Sequence, residues 1–215
     1  MRIIEPSYSI MTPINREEIL KHIENCGRVC YKSENRITEE SASKFVKGLV
    51  KNGHEAMIEH FSITVKFICD RGVSHEIVRH RIASFAQEST RYCNYIKDDF
   101  GGEITVIKPL FLEEGTHGYT VWKGACQSAE TAYFNLLGWG CTPQEARAVL
   151  PNSLKTEIVV TMNLREWRHF FKLRAIGTTG NPHPQMRELA LPLLNEFKEL
   201  LPEVFGDLEV DANGR

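Results

Sequence analysis

Phe61-Ser62-Ile63-Thr64-Val65-Lys66-Phe67-Ile68-Cys69 alternates apolar and polar side chains and is rich in β-branched residues, the pattern of a half-buried strand. The segments around it are of another kind. Upstream, Asn15 before Arg16-Glu17-Glu18 caps a helix whose apolar stripe is Ile19, Leu20, Ile23 and Cys26. Thr38 opens a second helix with Phe45, Val46, Leu49 and Val50 inward and Gly53 as its stop. Downstream, Gly72 begins a short helical stretch to Arg79, 104–107 reads as a strand stopped by Pro109, and 116–138 as a long helix. Thr142-Pro143-Gln144-Glu145 joins a cap, a first-turn proline and a capping-box glutamate, opening a helix to Leu150 and Pro151. Residues 155–162 predict a strand, and Asn163 caps a helix carrying Trp167, Phe170, Phe171 and Arg174. After the loop Gly177–Pro184, a final helix covers about 185–200. Strands and helices mix without a regular βαβ alternation, which predicts an α+β fold. No repeat or linker divides 1–215, so one domain with a loose tail at about 206–215 is expected.

The 215 residues are 42% apolar and 25% charged, ordinary globular usage with enough chain for a true core. Lys and Arg number 26 against 28 Asp and Glu, a net charge of −2 that argues against gripping long polyanions by bulk charge. No apolar run approaches the ~20 residues of a membrane helix. No signal-peptide core of ~7–15 apolar residues follows Met1. A cytoplasmic protein is expected, with its six cysteines reduced and mostly buried.

The most unusual segment is Arg79-His80-Arg81-Ile82-Ala83-Ser84-Phe85-Ala86-Gln87-Glu88-Ser89-Thr90-Arg91-Tyr92. Arginine offers a fixed fork of donors to phosphate or carboxylate oxygens, and serine hydroxyls add short-range donors. Residues 79 and 91 lie too far apart for one helix face, so convergence requires a turn after Arg81. Composition alone leaves two readings open, an anion cradle and a solvated basic turn.

Arg-His-Arg, seven residues, then Ser-x-Arg resembles the signature of flavin-dependent thymidylate synthases at every defining position. Further matches occur in order: Gly53-His54-Glu55-Ala56-Met57-Ile58-Glu59-His60, Ala146-Arg147 through Pro151, Met162-Asn163-Leu164-Arg165 through Leu173-Arg174, and His183-Pro184-Gln185-Met186-Arg187-Glu188. The resemblance spans about residues 15–200. It implies an α+β domain with a mixed or antiparallel sheet flanked by helices, assembled as a homotetramer whose active sites are shared between subunits. It implies conversion of dUMP to dTMP, with methylenetetrahydrofolate as carbon donor and FAD, reduced by NADPH, as hydride carrier. Carried over by position, Glu76, Arg79, Gln87, Ser89, Thr90, Arg91, Arg147 and Arg174 would bind dUMP. His54, Ala56, Arg79, His80, Arg81, Gln87, Asn163, Arg165 and His169 would meet the flavin. Ala56 stands where relatives often carry a threonine, so only its backbone can serve. Arg174 would be catalytic, its positive charge stabilising an enolate-like uracil and making C5 nucleophilic.

The same residues admit other chemistries. Ser89 as a nucleophile lacks an indicated histidine base. Cys93 lies near arginines that would lower its pKa, but follows the motif by two residues, outside the matching positions. A metal-dependent hydrolase could use His54, His60, His75 and His80, although spacings of six and five suit a helical site poorly. A single-stranded nucleic-acid module could use Arg71, Arg79, Arg81 and Arg91 with Tyr92 and Tyr95 as stacking platforms. The match to a flavoenzyme leaves no metal expected.

Overall fold

The computed structural model describes residues 1–92, 95 and 101–210. Six strands are placed among them: β1 (Arg2–Ile4), β2 (Ser7–Ile10), β3 (Ser62–Asp70), β4 (Ala83–Gln87), β5 (Thr105–Ile107) and β6 (Lys155–Asn163). The alternation that predicts β3 holds, with Ile63, Val65, Phe67 and Cys69 buried and their neighbours facing outward. Four strands form one sheet in the order β2-β3-β6-β4. β3 runs antiparallel to β6: Thr64 meets the Thr161 hydroxyl at 2.9 Å while Lys66 reaches back to Glu157 at 3.4 Å. β1 and β5 pair in parallel, with Arg2 opposite Thr105 and Ile4 opposite Ile107. With its helices this is the expected α+β class.

The helices are α1 (Arg16–Val29), α2 (Ser41–Lys51), α3 (Arg71–Ile77), α4 (His117–Gly138), α5 (Pro143–Ala146), α6 (Leu164–Phe171), α7 (Pro184–Leu200) and α8 (Pro202–Phe205). Asn15, Thr116 and Asn163 cap α1, α4 and α6, each accepting from a backbone N–H one turn on. Other boundaries differ from expectation. The second helix starts at Ser41 rather than Thr38, because the Ser41 hydroxyl takes the Thr38 N–H at 2.9 Å and folds Thr38–Glu40 into a turn. α3 starts at Arg71, since Asp70 is its cap and accepts from Val73 N–H at 2.7 Å. The helix after Thr142 ends at Ala146, then tightens into a 3₁₀ turn over Arg147–Val149 ahead of Pro151. The tail expected to be loose from 206 is anchored at its start, with Asp207 bound to Arg168 and Leu208 buried. No helix among the described residues is long and apolar enough to cross a membrane.

Two compact units are distinguished: Met1–Tyr8, Lys66–Arg79 and Phe85–Val159 form the first, and Ser9–Val65, His80–Ser84 and Val160–Arg215 the second. The first is built around Ile104, Val106, Cys126, Tyr133 and Leu154. In the second, Trp167, Phe170, Phe171, Phe197 and Phe205 form an aromatic core with ring centroids 5.1–5.8 Å apart, and the Trp167 indole donates to the Ile63 carbonyl at 3.0 Å. Gly27 lets α1 approach α2, for a Cβ there would stand 2.7 Å from the Phe45 ring.

Glu203 of α8 is buried and binds Arg16 through both carboxylate oxygens and the Ser43 hydroxyl at 2.7 Å, tying α1, α2 and α8 together. Burial alone would raise its pKa, but these bonds prevail and hold it at about 2. A depressed carboxylate stabilises the fold above its unfolded pKa, and that stability drains away as pH falls toward the folded value. Glu203→Gln is therefore expected to lower the unfolding free energy by about 2 kcal/mol at neutral pH. The gap from wild type should close as pH falls from the ordinary carboxylate range toward 2, measured by urea unfolding across that range.

Candidate active site

In the first unit, the end of β4 is pinned before the chain turns. Gln87 donates to the buried Ser74 hydroxyl at 2.9 Å and to Thr156 at 3.2 Å. Glu88 is fixed beside β6, donating its N–H to the Glu157 carbonyl at 2.9 Å and accepting from Lys155 at 3.0 Å. A tight turn follows: Tyr92 N–H donates to the Ser89 carbonyl at 3.1 Å, and Arg91 N–H to the Ser89 hydroxyl at 3.3 Å. Arg147, on the 3₁₀ turn after α5, donates to the Thr90 hydroxyl at 3.3 Å. Ser89, Thr90, Arg91 and Arg147 thus converge, with both guanidiniums exposed, on a turn whose hydroxyls, N–H groups and cations suit a phosphate-sized anion. Arg79, just past α3, is exposed, and Glu76 on α3 is half-buried.

In the second unit, α6 gives way to a π turn over Lys172–Ile176, closed by Gly177 N–H donating to the Lys172 carbonyl at 2.9 Å. Gly177 has φ +85°, and a Cβ there would meet Pro182 at 2.8 Å, so glycine is required. Arg174 lies on this turn, and its Nε donates to His80 Nε2 at 3.2 Å. His80 Nδ1 in turn lies 2.9 Å from Glu166 Oε1. The His80 ring is 3% exposed, packed 5.0 Å from Phe170 and 5.6 Å from His169. Burial, with the Arg174 guanidinium and the His169 ring adding to it, pushes its pKa down to about 4. Burial pushes the Glu166 carboxyl up.

Two cavities adjoin these residues within the same unit. One, of about 410 Å³, is lined by Asn163, Arg165, Glu166 and His169, together with Ile82 and Lys172. The other, of about 580 Å³, is walled by Phe45, Leu49 and Met57 and includes His54 and Ala56. The first offers Arg165, Lys172, His169 and an amide beside the carboxylates Glu55, Glu59 and Glu166, and the second an apolar surface, so polar hydrogen-bonding groups and a wall for a flat aromatic part are both present. Arg165 and Arg81 are both exposed, Arg165 holding Glu59 at 2.6 Å.

The expected residues therefore gather in two sets. Ser89, Thr90, Arg91 and Arg147 are brought together in the first unit, and His80, Asn163, Arg165, His169 and Arg174 in the second. Among the described residues the four histidines of the hydrolase reading do not gather, and of the two proposed stacking tyrosines only Tyr92 is exposed. Of the four histidines of the hydrolase reading, His54, His60 and His75 are exposed, and the one grouping within ligand distance is His80, Glu166 and His169. There the Arg174 guanidinium already occupies His80 Nε2, a neighbour that opposes a cation. Tyr95 is no stacking platform, being buried against Tyr133 at 5.6 Å. Among the cysteines, Cys69 and Cys126 are buried, Cys26 and Cys141 half-buried and Cys30 exposed, fewer buried than expected; Cys93 lies outside the described residues. Glu166 and Lys172 were not singled out from sequence. The available signal was the spacing of Glu166, Phe170 and Arg174, four residues apart along one helical line.

The model of the family described as thymidylate synthase complementing protein matches residues 14–203. A flavin-dependent thymidylate synthase of Pyrococcus furiosus is 35% identical over 172 residues, covering 80% of this chain and 68% of that protein. One from Geobacter sulfurreducens is 33% identical over 188 residues, covering 84% and 78%. Among solved structures, the UMP/dUMP methylase PolB from Streptomyces cacaoi, bound with 5-Br dUMP, has the same fold at a TM-score of 0.77, with 20% identity and 96% of each chain covered.

A histidine whose folded pKa is depressed resists protonation, so it withdraws stability as pH falls below its ordinary value of about 6.5, until the folded value is reached. In ¹⁵N-histidine NMR, His80 is expected to titrate near 4, and Arg174→Gln, which removes an adjacent cation, to raise that midpoint. A midpoint near 6.5 in the wild type would contradict the buried geometry.

Proposed function

We propose an assignment of roles that proceeds from one premise: the chain belongs to the family of flavin-dependent thymidylate synthases. The protein methylates dUMP reductively to dTMP, with methylenetetrahydrofolate as the carbon donor and NADPH as the source of reducing equivalents. It works as a cytoplasmic homotetramer whose subunits share active sites. FAD, when bound, supplies the hydride-carrying ring.

The chain's own residues bind, aim and polarise. Ser89, Thr90 and Arg91 take the dUMP phosphate with Arg147, their hydroxyls, N–H groups and guanidiniums acting together on one anion. Arg79, Gln87 and Glu76 complete the nucleotide contacts, Gln87 being held in place by Ser74 and Thr156. His54, Ala56, Asn163, Arg165 and His169 hold the flavin, along with Arg79, His80, Arg81 and Gln87 of the motif. His80 contributes to that set through its backbone, since both ring nitrogens are engaged inside the protein.

Arg174 stabilises the negative charge that develops on the uracil ring as C5 becomes nucleophilic. The observation that carries this role is its bond to His80: a buried, neutral imidazole aims the guanidinium without cancelling its charge. A carboxylate in that place would neutralise the cation the reaction needs.

Arg174→Ala is expected to lower dTMP formation by about 10²–10³-fold while the purified protein keeps its flavin absorbance. Unchanged turnover would refute the role. Arg147→Ala, which removes one phosphate contact, is expected to raise the KM for dUMP by roughly tenfold with kcat less affected. Steady-state kinetics at varied dUMP separate the two.

A further inference from the structure

We propose that Glu166 is a positioning residue for Arg174, acting through His80. The proposal rests on the role assigned above to Arg174 and extends it to a carboxylate to which the family resemblance assigns no role.

Directionality carries the inference. An arginine Nε–H can only donate, so His80 Nε2, 3.2 Å away, must present its lone pair. The neutral ring then carries its proton on Nδ1, and that proton needs an acceptor. Glu166 Oε1 at 2.9 Å is the acceptor. Glu166 therefore selects the one tautomer of His80 that can hold Arg174. Were the carboxylate replaced by an apolar group, the ring could take the other tautomer and set its Nε2–H against the Arg174 Nε–H. Water is poorly placed to substitute, because His80 is 3% and Glu166 8% exposed.

The covalent frame supports the same line. Glu166, Phe170 and Arg174 recur every four residues along α6 and its π turn, and His80 meets all three. Glu166 sits in the first turn of α6, its N–H held by Asn163 at 2.8 Å, where the helix dipole favours an anion. Arg187 of α7 donates to the Ala175 carbonyl at 2.9 Å and steadies the turn from the other end. Among the described residues, the charged or titratable groups facing His80 are Glu166, His169 and Arg174, and the acceptor within hydrogen-bond distance of Nδ1 is the Glu166 carboxylate.

The test compares Glu166→Leu with Glu166→Gln in the flavin-loaded protein. Leucine cannot accept the Nδ1–H, and kcat is expected to fall roughly ten- to a hundredfold with flavin absorbance and dUMP binding retained. Glutamine can accept it through its amide oxygen, and is expected to recover most of the loss. ¹⁵N-histidine NMR should show His80 as the Nδ1–H tautomer in wild type and Glu166→Gln, and as the Nε2–H tautomer or a mixture in Glu166→Leu. Full kcat in Glu166→Leu while Arg174→Ala is inactive would overturn the relay and leave the uracil role standing. Activity in both would instead remove the premise. Equal impairment of the leucine and glutamine variants with an unchanged tautomer would show a merely structural role. Loss of flavin alongside activity would assign Glu166 to cofactor binding, and stoichiometric zinc in the wild type, lost in Glu166→Gln, would assign the trio to a metal; either overturns the proposal. If Glu166→Leu does not fold, the wild-type tautomer decides, since an Nε2–H ring cannot receive the Arg174 bond.

Discussion

Arg168 is a guanidinium with almost no access to water, 2% exposed, and such a group must find acceptors inside the protein or cost several kcal/mol. It does so on three sides. Nε donates to Glu55 at 2.9 Å, and the two terminal nitrogens to Asp207 at 2.6 and 2.8 Å, with the Val204 carbonyl completing the set. One side chain of α6 thereby fixes the 3₁₀ turn Glu55–His60 and the segment after α8. Burial alone would weaken its charge, but the carboxylates outweigh that and keep the arginine firmly protonated.

The rest of the second unit follows from that attachment. With the turn at Glu55–His60 held against α6, Ala56 stands in the wall of one cavity and Glu59 with Arg165 in the other. On the same helix Trp167, Phe170 and Phe171 are buried in the aromatic core, so the helix has little freedom to roll. Phe170 serves two purposes, being both core and the surface on which the His80 ring rests. The π turn then widens the helix where Arg174 leaves it. An extra residue per turn is unfavourable in isolation; here Gly177 and Arg187 hold it closed.

Much of this is legible in the chain itself, for reasons that are local. Asn15 and Asn163 act within their own turns, and the alternation of 61–69 reports its own buried face. β4 was not visible, because Ala83-Ser84-Phe85-Ala86-Gln87 has weak strand propensity and is a strand through its partner β6. β1 was missed for a like reason: three residues carry little periodicity, and their register is set by β5 over a hundred positions away. At the site, the motif named Arg79–Arg91 and its satellites, since residue identity carries chemistry. It could not show that the His80 side chain turns inward. That depends on Glu166, eighty-six residues later, whose identity as an ordinary first-turn acid hid its second partner.

The near-zero net charge of the whole chain takes on meaning once its arginines are sorted by company. Arg16, Arg28, Arg165 and Arg168 each hold a carboxylate within 3 Å and are neutralised by the fold. Arg79, Arg81, Arg91 and Arg147 form no ion pair with a carboxylate among the described residues, although acids outnumber bases overall. A cation left unpaired in a chain rich in acids is poised for an anion from outside, and a turn of hydroxyls and N–H groups beside Arg91 and Arg147 is shaped to share it. Arg174 represents a third case. It meets an imidazole kept neutral by burial, a contact that supplies direction without supplying opposite charge. Pairing with acid builds the scaffold, open guanidiniums are available to an external anion, and the imidazole contact gives the Arg174 guanidinium its direction without neutralising it there.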